Sequence, residues 1–234
     1  MIEKDPQKIA AMFSSIARRY DVANHLLSFN RDKHWRKKLV ALCTPKSGDK
    51  ILDVCTGTAD SAIEFARSGA DVEIIGLDLS KEMLDVGRDK VKRNKLQDKI
   101  KLQEGNALEL PFANESFDIV AIAFGLRNLP DPERGIAEMS RVLKKSGRLA
   151  ILEFSVPENA LLRRLYLFYL SKIMPVFGGV ITGSRSPYEY LHASILNFSD
   201  REEILGLMQT ARLKNGKAFT LSFGIATIYL GEKV

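Results

Sequence analysis

Asp78 stands 21 residues after Gly57, and each closes a run of residues that reads as a strand. Ile51-Leu52-Asp53-Val54-Cys55 leads into Thr56-Gly57-Thr58-Ala59-Asp60, and Val72-Glu73-Ile74-Ile75-Gly76-Leu77 leads into Asp78. An apolar strand, a glycine turn, a helix and a second strand ending in an acid make one half of a nucleoside-binding α/β fold. In that layout the acid accepts hydrogen bonds from ribose hydroxyls. The plain alternative is an ordinary strand–helix unit with a solvated acid.

The turn narrows the choice of cofactor. A dinucleotide site needs several glycines so that backbone can approach a pyrophosphate, and only Gly57 is present here. Asp60, near the start of the next helix, repels a pyrophosphate and tolerates a cation. S-adenosylmethionine carries no phosphate but has a sulfonium and an ammonium. An acid-rich turn (Asp53, Asp60) followed by Asp78 therefore suits it better than NAD. Further along, Lys99-Ile100-Lys101-Leu102-Gln103 reads as a third strand and runs into Glu104-Gly105-Asn106-Ala107, where a small polar residue can read an adenine edge.

Other elements must bring these groups together. Residues 117–124 form a near-continuous apolar run, the mark of a strand buried on both faces. It ends in Gly125-Leu126-Arg127-Asn128-Leu129-Pro130, a polar loop at a carboxyl end, where ligands sit in open parallel sheets. Residues 147–154 supply a fifth strand and 221–231 the terminal strands. Helices are expected over 7–13 and 34–40, then after Asp60, after Ser80 and after Asp131-Pro132, where the caps and the proline mark helix starts. The alternation predicts an α/β fold with a mostly parallel, doubly wound sheet. Residues 160–181 are the odd piece, too charged and interrupted to span a bilayer. They fit a core-packing helix, a lid over a greasy substrate, or an interfacial patch.

The chain has 234 residues, 45% hydrophobic and 27% charged, enough to bury a full core. Cys43 and Cys55 have no metal-ligand spacing and suggest no disulfide framework; Cys55 reads as a small buried strand residue. No secretory signal opens the chain, so the default compartment is the cytoplasm. Residues 1–50 carry 11 Lys/Arg against 5 Asp/Glu, so the whole net charge of +6 resides there. A basic segment beside a neutral core suggests an acidic surface partner, anionic lipid or nucleic acid, or simply a solvated helix face.

Four motifs carry a resemblance. Tyr20-Asp21-Val22-Ala23-Asn24-His25-Leu26-Leu27-Ser28 with His34 and Trp35, Phe124-Gly125-Leu126-Arg127-Asn128, Arg141 to Arg148 followed by Glu153-Phe154-Ser155, and Tyr188-Glu189-Tyr190-Leu191-His192-Ala193-Ser194 follow in order. Together they resemble the ubiquinone/menaquinone biosynthesis C-methyltransferases over nearly the whole chain. The family usually has glycine where this chain has Thr56 and Ala59, Pro-Gly at Lys145-Ser146, and Ser at Ala123. Ala59 then calls for a turn without a glycine-only dihedral.

The resemblance implies a Rossmann-like class I S-adenosylmethionine-dependent methyltransferase with an antiparallel terminal strand and added helical cover. It implies one domain over 1–234: an N-terminal cover (1–48), a cofactor-binding core (49–155), a helical substrate lid (156–200), and a C-terminal helix with closing strands (201–234). The methyl group goes to a ring carbon of a polyprenylated quinol, demethylmenaquinol first and a 2-polyprenyl-6-methoxy-1,4-benzoquinol as the alternative. Thr58, Asp78, Asn106 and Ala107 contact the cofactor, and Asp53 and Gly57 shape its turn. No metal is expected.

A neutral quinol carbon is a weak nucleophile, and losing a phenolic proton pushes electron density onto the ring. A phenol titrates near 10, so a base or stabilisation of the phenolate is needed. Arg127 is the candidate stabiliser, with Asn128 orienting a water. Tyr188, Tyr190 and His192 are candidates to line the substrate pocket, with neutral His192 a candidate base. Tyr20 is a further substrate candidate, grouped with Asp21 and His34 in the cover; Trp35 belongs to the core. The expected partners are the quinol and an anionic membrane surface met peripherally at its inner face, with no nucleic acid, and a homodimer open. The competing readings are a nucleic-acid methyltransferase, a non-catalytic isoprenoid carrier and a nicotinamide oxidoreductase. Against the first, the chain lacks both an Asn/Asp-Pro-Pro-aromatic run and a Pro-Cys dipeptide.

Overall fold

A computed structural model describes residues 5–234; the first four residues of the expected cover lie outside the described residues. Seven strands form one sheet in the order β3-β2-β1-β4-β5-β7-β6. They are β1 (Lys50–Val54), β2 (Glu73–Asp78), β3 (Ile100–Glu104), β4 (Phe117–Ala123), β5 (Leu143–Phe154), β6 (Leu213–Leu221) and β7 (Ala226–Lys233). Strands β1 to β5 pair in parallel, and β7 runs antiparallel between β5 and β6. The order reverses between β1 and β4, so the crevice at their carboxyl ends is the natural ligand site. The closing hairpin starts earlier than the sequence suggests. β6 lies wholly before residue 222, and its Lys-Asn-Gly-Lys run hid its strand character.

The strands alternate strictly between two cores. Ile119, Ala121, Ala150 and Leu152 enter one cluster with Trp35 and Phe65. Val120, Ile122, Leu149 and Ile151 enter the other with Ile136 and Met208. Each fully buried Leu, Ile or Val among them contributes about 1.5–3 kcal/mol. Helices α3 (Asp60–Ala66), α4 (Lys81–Arg93), α5 (Pro132–Val142) and α9 (Arg201–Thr210) cover the faces. Two of them start at the expected caps: Ser80 Oγ accepts from the Met83 N–H at 3.2 Å for α4 and Asp131 Oδ1 from the Arg134 N–H at 2.9 Å for α5, whereas α3 begins at Asp60 itself after an uncapped Ala59.

The cover is built from α1 (Pro6–Leu27), α2 (Arg31–Cys43), α6 (Ala160–Phe168), α7 (Met174–Thr182) and α8 (Ser186–Leu196). A third core, with Ala23, Leu27, Tyr166, Leu170, Met174 and Tyr188, holds α1 to α6–α8. A π-helical turn, Tyr169–Ile173, joins α6 to α7. Pro175 explains it: a proline lacks the N–H, and its ring crowds the carbonyl four residues back, which widens the preceding turn. Contrary to the sequence expectation, Ala160–Thr182 is long and apolar enough to cross a membrane by length and composition. Its window has a mean hydropathy of 1.4, with only 28% of it buried.

Candidate active site

A cleft of about 110 Å³ opens at the carboxyl ends of β1, β2 and β4. Gly57, Asp78, Asn106 and Ala107 line it, with Leu79 and Met83 as apolar walls. Asp78 Oδ2 accepts from the Gly57 N–H at 2.8 Å, and Oδ1 accepts from the Ser80 N–H at 2.9 Å. Burial pushes this carboxyl above its ordinary value, and these two N–H groups oppose the shift. A carboxylate offers about four lone-pair sites, so lone pairs remain for hydroxyls. Gly57 has φ +56, and a Cβ there would sit 3.3 Å from Met83 Cε inside the cleft. The residues fit S-adenosylmethionine: an acid at the ribose position, apolar walls, and no Lys or Arg among the described lining residues to meet a phosphate. Cys55 also lines the cleft; it is no strand residue but follows β1 at φ 54.

The other acids of the turn do different work. Asp53 is 1% exposed and holds the turn from beneath, accepting from Thr56 Oγ1 at 2.6 Å and the Ala62 N–H at 3.1 Å. Burial pushes its carboxyl up to about 7. Asp60 and Thr58 face away from the cleft toward α1 and α4. Thr58 Oγ1 donates to Asp21 Oδ1 at 2.5 Å. Lys90 Nζ donates to Asp21 at 2.7 Å, to Thr58 Oγ1 at 3.1 Å and to Asp60. The cation Asp60 tolerates is therefore Lys90. Burial alone would raise the Asp60 carboxyl, but Arg36 and Lys90 hold it below the ordinary value. Ala59 takes φ 67, so it does occupy the left-handed region that favours glycine.

A second, larger cavity of about 690 Å³ lies between the sheet edge and the helical cover. Tyr20, Tyr188, Tyr190 and Arg127 line it, with Tyr166, Trp35 and Arg36. Phe13, Tyr20 and Phe124 border both cavities, so these three side chains mark where they meet. Burial pushes the Tyr20 hydroxyl up, and the nearby Arg127 charge opposes it. The floor is a stack: Phe124 and Phe154 lie 4.5 Å apart, Arg36 rests over Phe124 at 5.3 Å and Arg127 over Phe154 at 5.2 Å.

Arg127 is 3% exposed and heavily bound. Its Nη1 donates to Glu153 Oε1 at 2.7 Å and to the Phe124 carbonyl at 2.6 Å, and Nε donates to Ser194 Oγ at 3.3 Å. Glu153, fully buried, also accepts the Arg127 N–H at 3.1 Å and the Phe154 N–H at 2.9 Å. The pair is a fixed, electrically balanced dipole rather than a free cation. Asn128 lines the cofactor cleft, and its Oδ1 accepts from the Tyr190 hydroxyl at 3.1 Å. His192 is half-buried on α8 and lines neither cavity. The sequence reading gives no role to Glu153 or Arg36. The signals were there: a lone acid inside an apolar strand, and Asp32 four residues before Arg36.

A family model described as the ubiE/COQ5 methyltransferase family matches residues 1–233. A ubiquinone/menaquinone biosynthesis C-methyltransferase UbiE from Geotalea uraniireducens (strain Rf4) is 45% identical over 228 residues, covering 97% of each chain. A demethylmenaquinone methyltransferase from Alkalihalophilus pseudofirmus is 40% identical, covering 100% of this chain and 99% of its own. Among solved structures, a SAM-dependent methyltransferase from Aquifex aeolicus shares the fold, with a TM-score of 0.62 at 17% identity over 85% of this chain and 89% of its own. A carboxyl-end cleft meeting a deep apolar cavity, on a class I methyltransferase sheet, agrees with these relatives: the chain belongs to the ubiE/COQ5 methyltransferase family.

Proposed function

We propose that this methyltransferase moves the methyl group of S-adenosylmethionine to a ring carbon of a polyprenylated quinol, demethylmenaquinol above the benzoquinol alternative. The observation that carries this is the apolar cavity of about 690 Å³ joined to the cofactor cleft at Phe13, Tyr20 and Phe124. Bound at Gly57, Asp78, Asn106 and Ala107, the cofactor would supply an electrophilic methyl and leave as a neutral thioether, the acceptor giving up one proton to solvent in exchange. The protein's part is to align the two, worth up to roughly 7–11 kcal/mol, and to keep water out with Phe13, Phe124 and Phe154. Asn128 lines the cofactor cleft and is a candidate to orient groups at the ring, while Arg127, tied to Glu153, fixes the end of β4 rather than supplying a free charge. His192 lines neither cavity, so a role as base would require α8 to move.

The cavity's rim supports access from a membrane. Phe29, Leu162, Leu165 and Phe223 line it and are 77%, 37%, 57% and 84% exposed. Phe168, Phe177 and Val180 are further exposed apolar residues on α6 and α7, and Arg31, Lys33, Lys37 and Lys38 are exposed on α2. Apolar anchors together with basic side chains suit peripheral contact with an anionic leaflet.

The test is to supply methyl-labelled S-adenosylmethionine with chemically reduced demethylmenaquinone or a demethylated benzoquinol. Label in the naphthoquinol ring is expected. Label in neither, with the cofactor bound, would leave a methyltransferase with another acceptor.

A further inference from the structure

Among the described residues, two buried side-chain polar atoms lack any hydrogen-bond partner: Arg36 Nε and the Tyr166 hydroxyl oxygen. Both residues line the same large cavity, and they are 9% and 8% exposed. Nearly all buried polar groups in folded proteins find partners, and an orphan calls for an explanation. Both orphans belong to residues lining the cavity that an acceptor would fill, and a ligand with two oxygens could partner both.

Arg36 is held for this purpose. Its Nη1 donates to Asp32 Oδ2 at 2.9 Å. Asp32 is itself fixed by Ser28 Oγ at 2.7 Å and His25 Nδ1 at 2.8 Å. The guanidinium rests on the Phe124 ring, which borders the cofactor cleft. With Nη1 spent, the Nε/Nη2 edge has no acceptor among the described residues. Two parallel N–H groups in that fork match an anionic oxygen. Arg127, by contrast, has spent Nη1 and Nε on Glu153, Phe124 and Ser194. Burial keeps the Tyr166 hydroxyl protonated well above its ordinary value, so it stays a donor at neutral pH. Each orphan atom exposes less than 1 Å², so contact with a ligand filling the cavity requires small shifts of both side chains.

We propose that Arg36 and Tyr166 are the groups that hold the two para oxygens of the acceptor ring, the Arg36 Nε/Nη2 edge taking the oxygen that becomes a phenolate and the Tyr166 hydroxyl the other. This rests on the quinol reading above. It makes Arg36, rather than Arg127, the cation that meets developing charge at the ring.

The experiment uses Tyr166→Phe and Arg36→Lys, the latter keeping a cation for Asp32 while losing the fork. Calorimetric affinities are measured for a short-chain prenylated 1,4-dihydroxynaphthalene and its 1-hydroxy analogue, alongside kcat/KM, cofactor Kd and thermal midpoint. Wild type should prefer the dihydroxy ligand by about tenfold or more, and Tyr166→Phe should lose that preference without a lower thermal midpoint, since its hydroxyl has no partner to lose. Arg36→Lys should drop kcat/KM about a hundredfold with cofactor Kd within twofold. If both variants keep wild-type affinity and kcat/KM within twofold, the proposal is wrong. Equal losses on both ligands in Tyr166→Phe also overturn it, by placing the hydroxyl away from a ring oxygen. A wild-type protein that binds the dihydroxy ligand through these residues but never methylates it would spare this assignment and sink the quinol-methylation reading.

Discussion

Asp53 and Glu153 are buried acids with opposite consequences. Burial lifts the Asp53 carboxyl to about 7, above its ordinary value of 3.8, so the folded chain holds that proton more tightly than the unfolded chain does. Its contribution to stability is therefore full at low pH and is lost as pH rises through about 7. Urea unfolding between pH 4 and 8 should show this decline in the wild type and a flatter profile in Asp53→Asn. Glu153 instead neutralises a buried guanidinium. Glu153→Gln leaves Arg127 without its countercharge and should cost about 3 kcal/mol in the same measurement. At this scale the sequence was legible wherever chemistry is local. The spacing of Gly57 and Asp78 pointed to one nucleoside cleft, and both residues line one; the hydrogen bond from the Gly57 N–H to Asp78 was seen only in the structure. The partners of Thr58 and Asp60 were not legible, because Asp21 and Lys90 reach them from helices far along the chain.

Among the elements, α1 is held in place by long-range polar contacts. Lys90 on α4 joins Asp21 of α1 to Thr58 and Asp60 of the cofactor turn, and Ser14 of α1 bonds Ser80 and Glu82 at the start of α4. The first signature motif now has a physical content. Tyr20 and Asn24 face the cavity, Asp21 and His25 face the turn, and Ser28 caps Asp32. Lys90→Gln leaves two partly buried acids without their cation and should cost about 2 kcal/mol. Hydrogen exchange should locate the loss in α1, with sheet amides unchanged. The strands were easier to read than these helices, because period-two alternation is a local pattern. Even so β6 escaped, since its exposed polar run hides the pairing that β7 imposes.

Across the whole molecule, exposed apolar residues on α6 and α7 and exposed basic residues on α2 both belong to the helical cover. Flotation with anionic phospholipid vesicles should capture the protein at low salt and release much of it at high salt, because surface charge is screened. Replacing Phe177 and Val180, 58% and 78% exposed, with Ser should weaken capture while leaving transfer to a detergent-dispersed quinol near normal. The excess of Lys and Arg in residues 1–50 was legible in the sequence; the apolar rim needed the packing of α6–α8 to separate buried from exposed faces. One further consequence follows from Phe13, Tyr20 and Phe124 each bordering both cavities. Whatever fills one cavity resets the shape of a wall the other must use, so the two affinities are thermodynamically linked. Linkage is reciprocal: the factor by which saturating quinol analogue changes the cofactor dissociation constant must equal the factor by which cofactor changes the analogue's. Paired calorimetric titrations should find that factor different from one, and Phe124→Ala should bring it toward one by removing the ring that the two ligands share.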